Sequence, residues 1–475
     1  MLDSQGGKAE GGAAVVAAPR ATVVSGVAEE AVPALFADAS RRGGGIAGAL
    51  AELRGSALAL AATPALGLPA LGRHRPNPEL TEHSALHVAV EGVSLLASRA
   101  VQDSRLVASV VPAEIAIDQG LVDLPDTSEA LRAKVRAASL ALHAAHASLV
   151  ERAAEKIAAR DGCTPSQARS AARVLALGLV PASTRTSVYF SANARVLASH
   201  CSKLLAHPLP EVKATGRAIL DAACGAAPEL FLGVDVSKMR AAAPMELSAA
   251  IARFYSAPQE GSSATMVISQ PVRLVRHDKD ALERVMLALA YEASDSSINA
   301  FALMGSLRGA KEPALLDILR AVLRERAPGE LVPRAFEVST MTFEIMVDAA
   351  TLHDLLRPRA HTASTQRLTC RLGFQLPEDL IDFGLAESYQ DAMLAAQAAW
   401  SDIDAEDPWA AEYAVPLGYR VRSLWTVDLR QLLQIIEARS ARSNPMRVRR
   451  IAHGLFRTAS GILPWLRDVA RIDLD

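Results

Sequence analysis

Cysteine is scarce in this 475-residue sequence: Cys163, Cys201, Cys224 and Cys370 are scattered singly, with no Cys-x-x-Cys pair. That usage fits a reducing, cytoplasmic compartment. Aromatic residues make up only 4%, whereas hydrophobic residues reach 50%, much of it alanine. Such a composition favours helices packed closely through small side chains. Neither sign of charge is in real excess: the net charge is -2 and the pI about 6.6, so no global basic field directs the chain to nucleic acid. The first 20 residues lack a basic start followed by an apolar run, and no signal peptide is expected. The apolar stretch from Ser56 to Leu71 is interrupted by Pro64 and Pro69. It is too short and too broken to span a bilayer, so it is expected in a core and no membrane partner is expected.

A chain of this length suits two domains of roughly 200 residues each. Residues 1–20, rich in Gly and Ala, are expected to be a disordered tail. Turn formers from Ser256 to Ala264 place a linker at 257–264, between domains at 21–256 and 265–475. The two halves begin alike, Glu29 through Ser40 paralleling Glu283 through Ser294 at an offset of 254. Each reads as a short strand, Ala21–Val24 or Val272–Val275, followed by an amphipathic helix ending near the serine. Met341 to Val347 alternates and suits a half-buried strand, after which a helix leads to Arg359. Long helical patterns run over Ser128–Ala159 and Leu380–Ala399. The halves also close alike. Pro181 lies 12 residues before Asn193 and Pro416 lies 12 before Asp428, and Asn193-Ala-Arg195 and Asp428-Leu-Arg430 both read as lying inside an apolar helix. The offsets drift from 254 through about 284 to 235. Diverged internal duplication accounts for this pattern, with chance similarity between Ala-rich helices as the alternative. The expected fold class is α+β, with two similar helix-rich domains that each flank a small central sheet with long helices.

Two stretches carry the residues suited to anion chemistry. One is Arg73-His74-Arg75 followed by Thr81-Glu82-His83-Ser84; the other runs from Arg359 through His361, Ser364 and Arg367 to Arg371. Both resemble the signature of the flavin-dependent thymidylate synthases (ThyX): Arg-His-Arg, then spaced Ser, Asn-Glu, Ser and Arg-Tyr. Val415 to Tyr419 and Leu424 to Arg439 resemble that family's late motif. The resemblance covers most of both halves. It implies a ThyX-like fold, FAD as cofactor, and transfer of a one-carbon unit from methylenetetrahydrofolate to C5 of dUMP or a related nucleotide-like acceptor, with NADPH reducing the flavin. By the same resemblance Arg73, His74, Arg75, Asn193, Arg195, Lys203, His207, Arg359, His361, Asp428, Arg430 and Gln434 would contact the cofactor. Ser364, Arg371 and Arg439 would hold catalytic positions. Guanidinium groups suit diphosphate and phosphate oxygens because they make paired, charge-assisted hydrogen bonds. Arg430 and Gln434, four apart, share a helix face; the alternative is a solvated helix with ordinary charges. Members of the family assemble four copies, so a fused pair would form a homodimer with pseudo-tetrameric character.

Several positions depart from the signature. Leu86 and His87 replace Arg and Tyr in the first copy, while Ala360 and His361 replace His and Arg in the second. Arg367 reverses the charge of a Glu. Leu177 and Glu412 stand where the family places an Arg that helps hold the nucleotide, and a carboxylate repels phosphate there. Neither half is therefore expected to form a complete dUMP site. The first retains Lys203, His207 and Glu211, although Pro208 and Pro210 suggest a helix break; the second has Ser443 and Arg447 instead. The competing reading is a non-catalytic pseudoenzyme acting as a binding or regulatory scaffold. Gly43 to Gly48 follows a helix and reads as a loop. His143 and His146 have no carboxylate or Cys in step and read as helix-surface or core residues; no metal is expected. Arg447, Arg449 and Arg450 read as a solvated basic face.

Overall fold

A computed structural model describes residues 81–111, 127–231 and 270–474 except 296, 328 and 358–360, together with Val32 and Ile251. Arg73, His74, Arg75, Arg359, the expected tail, the Ala21–Val24 strand, the Gly43–Gly48 loop and the linker at 257–264 lie outside the described residues. Packing divides the chain into two compact units. One comprises Met1–Leu86, Asn193–Arg195 and Ala223–Val234; the other comprises His87–Ala192, Val196–Ala222 and Asp235–Asp475. Within the smaller unit the Ala194 N–H donates to the Ser84 carbonyl at 3.1 Å, and Arg195 pairs with Glu82.

The larger unit takes in most of both sequence halves. In the first half, β1 (Ala85–Ser94), α1 (Leu95–Gln102) and β2 (Ala108–Val110) are followed by α2 (Glu129–Asp161), α3 (Pro165–Ala176), β3 (Arg185–Asn193), α4 (Ala194–Leu205) and α5 (Pro210–Ala226). In the second, β4 (Val272–His277) and α6 (Ala281–Ala293) lead through helices at Ala300–Gly309 and Glu312–Leu323 to β5 (Thr340–Asp348), α7 (Ala349–Leu355) and β6 (Thr362–Thr365). The long helix α8 (Ala386–Asp404), then β7 (Arg420–Asp428), α9 (Leu429–Ser440) and α10 (Met446–Ile462) complete it. The sheets run β1-β3-β2 and β4-β5-β7-β6. Thus β1, β2 and β3 match β5, β6 and β7 both in chain order and in sheet position.

Local sequence explains these elements. β5 and β7 pair antiparallel over nine residues, with Phe343 opposite Trp425, and their alternating residues turn Met341, Phe343, Ile345, Val421, Trp425 and Val427 into the core. Along α2, Leu131, Val135, Leu142, Leu149 and Ala153 recur at helical spacing and are buried. The Ser128 hydroxyl accepts the Leu131 N–H at its start, and Gly162 ends it with φ 62°.

Three expectations need correction. Asn193 and Asp428 do not lie inside helices; each ends a strand, and the Asp428 carboxylate caps α9 by accepting the Gln431 N–H at 2.8 Å. The strands before them were hidden by an apolar content that suits either element, whereas the burial of β7 alternates as a strand's does. The helical pattern over Leu380–Ala399 is two helices, broken where Gly384 adopts φ 66°. Arg449 is buried rather than solvated, its Nε donating to the Ser440 carbonyl at 2.9 Å.

The two halves meet through a reciprocal set of backbone bonds. Ala182 donates to Val415 and Leu417 to Val180, both at 2.9 Å. Ser183 donates to Tyr413 at 3.0 Å and Gly418 to Gly178 at 2.8 Å. At the offset of 235 each bond is the image of its partner, the pattern of an approximate two-fold relation centred on the Pro181–Pro416 bridge. Glu211 adds a buried link: its carboxylate accepts the Ser94 N–H at 2.7 Å, the Ser94 hydroxyl at 2.6 Å and the Tyr413 hydroxyl at 2.7 Å.

Candidate functional site

A cavity of about 620 Å³ opens within the larger unit, lined by residues of both sequence halves. Helical spacing supplies one wall: Leu96, Arg99, Ala100 and Asp103 fall on one face of α1 and the turn after it. At the offset of 254 the corresponding positions of Arg99 and Asp103 are His353 and Arg357, and both of these line the same cavity from α7 and its end. Lys203 and His207 enter from α4 and the turn beyond it, where the expected break before Pro210 occurs. His361, Arg367, Trp409 and Glu412 come from the second half.

The lining is cationic. Among the described residues, Arg99, Arg105, Lys203, Arg357 and Arg367 face only two carboxyl groups, Asp103 and Glu412. Several cations are committed: Lys203 donates to the Asp103 carbonyl at 2.9 Å and pairs with its carboxylate. Arg367 donates to the Pro408 carbonyl at 3.0 Å and lies 4.5 Å over the Trp409 ring. Arg99, in contrast, makes no hydrogen bond or ion pair with any described residue; burial lowers its pKa while Asp103 and Glu412 oppose that shift. Two aromatic faces complete the setting. His361 is buried against Trp425 with ring centroids 4.2 Å apart, and His207 meets Trp409 edge-on at 6.5 Å. Burial depresses the pKa of His207 to about 4, so it is neutral at pH 7.

Glu412 is the unusual group. It sits in a short turn at Ala410–Ala414, only 6% exposed, and its Oε2 accepts the Leu368 N–H at 3.1 Å. Its Oε1 is buried with no hydrogen-bond partner among the described residues. Burial raises its pKa to about 7 against the opposing pull of the Leu368 N–H, Arg367 and Arg99. A carboxyl group in this state exchanges its proton near neutral pH and can act as donor or acceptor.

Of the residues singled out in the sequence, the structure brings Lys203, His207 and His361 to this cavity. The other described candidates for cofactor-binding and catalytic roles do not line it. Arg430 donates to the Val332 carbonyl and to Glu337, both at 2.8 Å. Gln434 accepts from Gln431 at 2.9 Å, and Asp428 caps α9 with its pKa raised by burial. Arg371 pairs with Asp404 at 2.6 Å, and Ser364 is exposed on β6 opposite Leu424. Arg439 is half-buried near Arg357 and Asp354, with its pKa lowered by burial and by Arg357. Asn193 and Arg195 belong to the smaller unit. Arg99, His353, Arg357 and Trp409 were not singled out. The 254 offset, carried forward from Ser40 and Ser294, maps Arg99 and Asp103 onto His353 and Arg357 and was the available signal. His143 donates to or accepts from Thr184 at 2.9 Å and His146 is buried, and the described residues contain no group suited to hold a metal ion. No described helix is long and apolar enough to cross a membrane.

Residues 273–465 match the family described as thymidylate synthase complementing protein. Among curated relatives, a UPF0159 protein of Chlamydia pneumoniae is 28% identical over 412 residues, covering 79% of this chain and 74% of that protein. A UPF0159 protein of Thermoplasma acidophilum is 24% identical over 310 residues, covering 64% of this chain and 60% of its own length. Among solved structures, a UMP/dUMP methylase from Streptomyces cacaoi, bound with 5-Br dUMP, aligns with a TM-score of 0.34 and 16% identity over 41% of this chain and 91% of that one. A flavin-dependent thymidylate synthase from Helicobacter pylori, complexed with FAD and dUMP, aligns with a TM-score of 0.32 and 16% identity over 42% of this chain and all of that one.

Proposed function

We propose that this chain, whose second half belongs to the thymidylate synthase complementing protein family, is a flavin-dependent enzyme that transfers a one-carbon unit to a pyrimidine nucleotide or related acceptor. The observation that carries the reading is the cationic cavity between the two sequence halves, with Arg99 uncommitted to any described residue. Anionic ligands with flat rings suit such a lining: guanidinium and ammonium groups take phosphate oxygens, and the Trp409 and His361 surroundings offer flat faces. The donor set fits a flavin dinucleotide, with Arg99 and Arg357 as the groups that would hold its diphosphate. Bound FAD supplies hydride transfer, with NADPH as reductant and methylenetetrahydrofolate as carbon donor. The chain's own part is to hold the anion, exclude water and keep His207 neutral.

Tandem duplication is part of the same reading. It is supported by the matching sheet orders and by the reciprocal bonds around Pro181 and Pro416. Assembly as a homodimer with pseudo-tetrameric character belongs to it as well. A scaffold without activity is the second reading, favoured by Arg371 and Arg430 being held by Asp404 and Glu337 away from the cavity. Flavin content and turnover separate the two. The enzyme reading expects purified protein mixed with FAD to stay yellow after desalting, to lose at least tenfold in flavin affinity on Arg99→Ala, and to methylate dUMP or an analogue when methylenetetrahydrofolate and NADPH are supplied. Protein that neither retains FAD nor turns over would leave the scaffold.

A further inference from the structure

We propose that Glu412 couples ligand binding in this cavity to the uptake of a proton: its carboxyl group becomes neutral as the phosphate group of a nucleotide or flavin settles against Arg99. The inference rests on the reading of the cavity as a nucleotide site. Its geometric basis is a buried carboxyl group held on one oxygen by the Leu368 N–H, unpartnered on the other among the described residues, and lining the same cavity as an uncommitted guanidinium.

An ionised Glu412 competes with an incoming anion for Arg99 and repels it; a protonated one leaves the guanidinium to the ligand. The charged groups acting on Glu412 are Arg367, from the loop after β6, and Arg99, from α1. On its own turn, Tyr413 gives its hydroxyl to Glu211 instead. The helices packed on that turn, α2 and α8, contribute none of the groups that shift it. His207 and His361 face the same cavity, and Asp103 is committed to Lys203. Burial already places the Glu412 pKa near 7, and an added anion pushes it in the same direction. The sign follows. Below about pH 7 the group is neutral and the anion binds at full strength; above it, affinity falls by about tenfold per pH unit.

Calorimetric titration of the full chain with FAD, and separately with dUMP, at about pH 6 and about pH 8 tests this. The expected result is about tenfold weaker binding at the higher pH for the ligand whose phosphate meets Arg99. Glu412→Gln, which keeps an acceptor for Leu368 but cannot ionise, should bind within about twofold at both values. Dividing the variant's affinity by the wild type's at each pH cancels the titration of dUMP itself. An effect on FAD alone assigns the flavin diphosphate, and an effect on dUMP alone assigns the nucleotide phosphate. Repeating the wild-type titration near pH 8 in buffers of different ionisation enthalpy counts the protons without any variant. Zero uptake, equal wild-type affinity at both pH values, or a pH effect that survives in Glu412→Gln overturns the proposal and leaves the nucleotide-site reading intact. Failure of both ligands to bind at about pH 6 overturns both.

Discussion

The buried carboxyl groups Glu211 and Glu412 are of two kinds. Glu211 shows the structural kind. Its carboxylate takes three donors at 2.6 to 2.7 Å and ties α5 to Ser94 at the end of β1 and Tyr413 of the opposite half. Removing it leaves buried donors without an acceptor, which costs far more than the net worth of the bonds. Glu211→Ala is expected to lower stability by about 3 kcal/mol in urea unfolding, and Glu211→Gln by less. A loss under about 1 kcal/mol for the alanine variant would mean that water replaces the carboxylate. Glu412 is the opposite kind, a buried carboxyl group with one oxygen unpartnered among the described residues, and its sequence position alone suggested only a repelled phosphate. Depth of burial, which no single residue specifies, turns that liability into a group that can be neutral at pH 7.

Among the elements, the strand-to-helix junctions repeat a single device. Ser94 at the end of β1 caps α1, Asp348 at the end of β5 caps α7, and Asp428 at the end of β7 caps α9. Each side chain accepts an N–H three residues on, supplying one of the donors that a helix start leaves unpaired. Asp428→Ala should cost about 1 kcal/mol in thermal or urea unfolding, and Asp428→Asn a few tenths. Equal loss in both variants would show that charge rather than capping matters at that position. The strand β5 and the helices α2 and α6 were legible from periodicity, because a half-buried strand and an amphipathic helix write their period into the sequence. β3 and β7 were not legible. Their apolar residues merge with those of the following helix, and only sheet pairing fixes where the strand ends.

Across the whole molecule, close approach of the two halves depends on glycine. A Cβ at Gly418 would lie 2.6 Å from the Tyr389 hydroxyl and 3.0 Å from the Gly178 carbonyl oxygen, and Tyr389 is fully buried. Gly418→Ala is therefore expected to destabilise the fold by about 1–3 kcal/mol through overpacking at the junction. Gly461→Ala, at a helical site with nothing within 4 Å, is the control and should stabilise by about 0.5–1 kcal/mol. If both changes prove neutral in calorimetry, the junction is looser than its hydrogen bonds indicate.

By itself, the sequence determined the helix-rich α+β character, the matched order of the two halves and the set of basic residues available for an anion. Those features depend on local periodicity, spacing and side-chain chemistry, which the chain carries residue by residue. Only the tertiary structure decided which basic groups converge. Arg371 and Arg430 turn to Asp404 and Glu337, while Arg99, some 300 residues before Glu412, shares a cavity with it. Convergence of that kind is set by how β1, β5 and their following helices pack about the Pro181–Pro416 junction, and long-range packing leaves no local mark on the sequence.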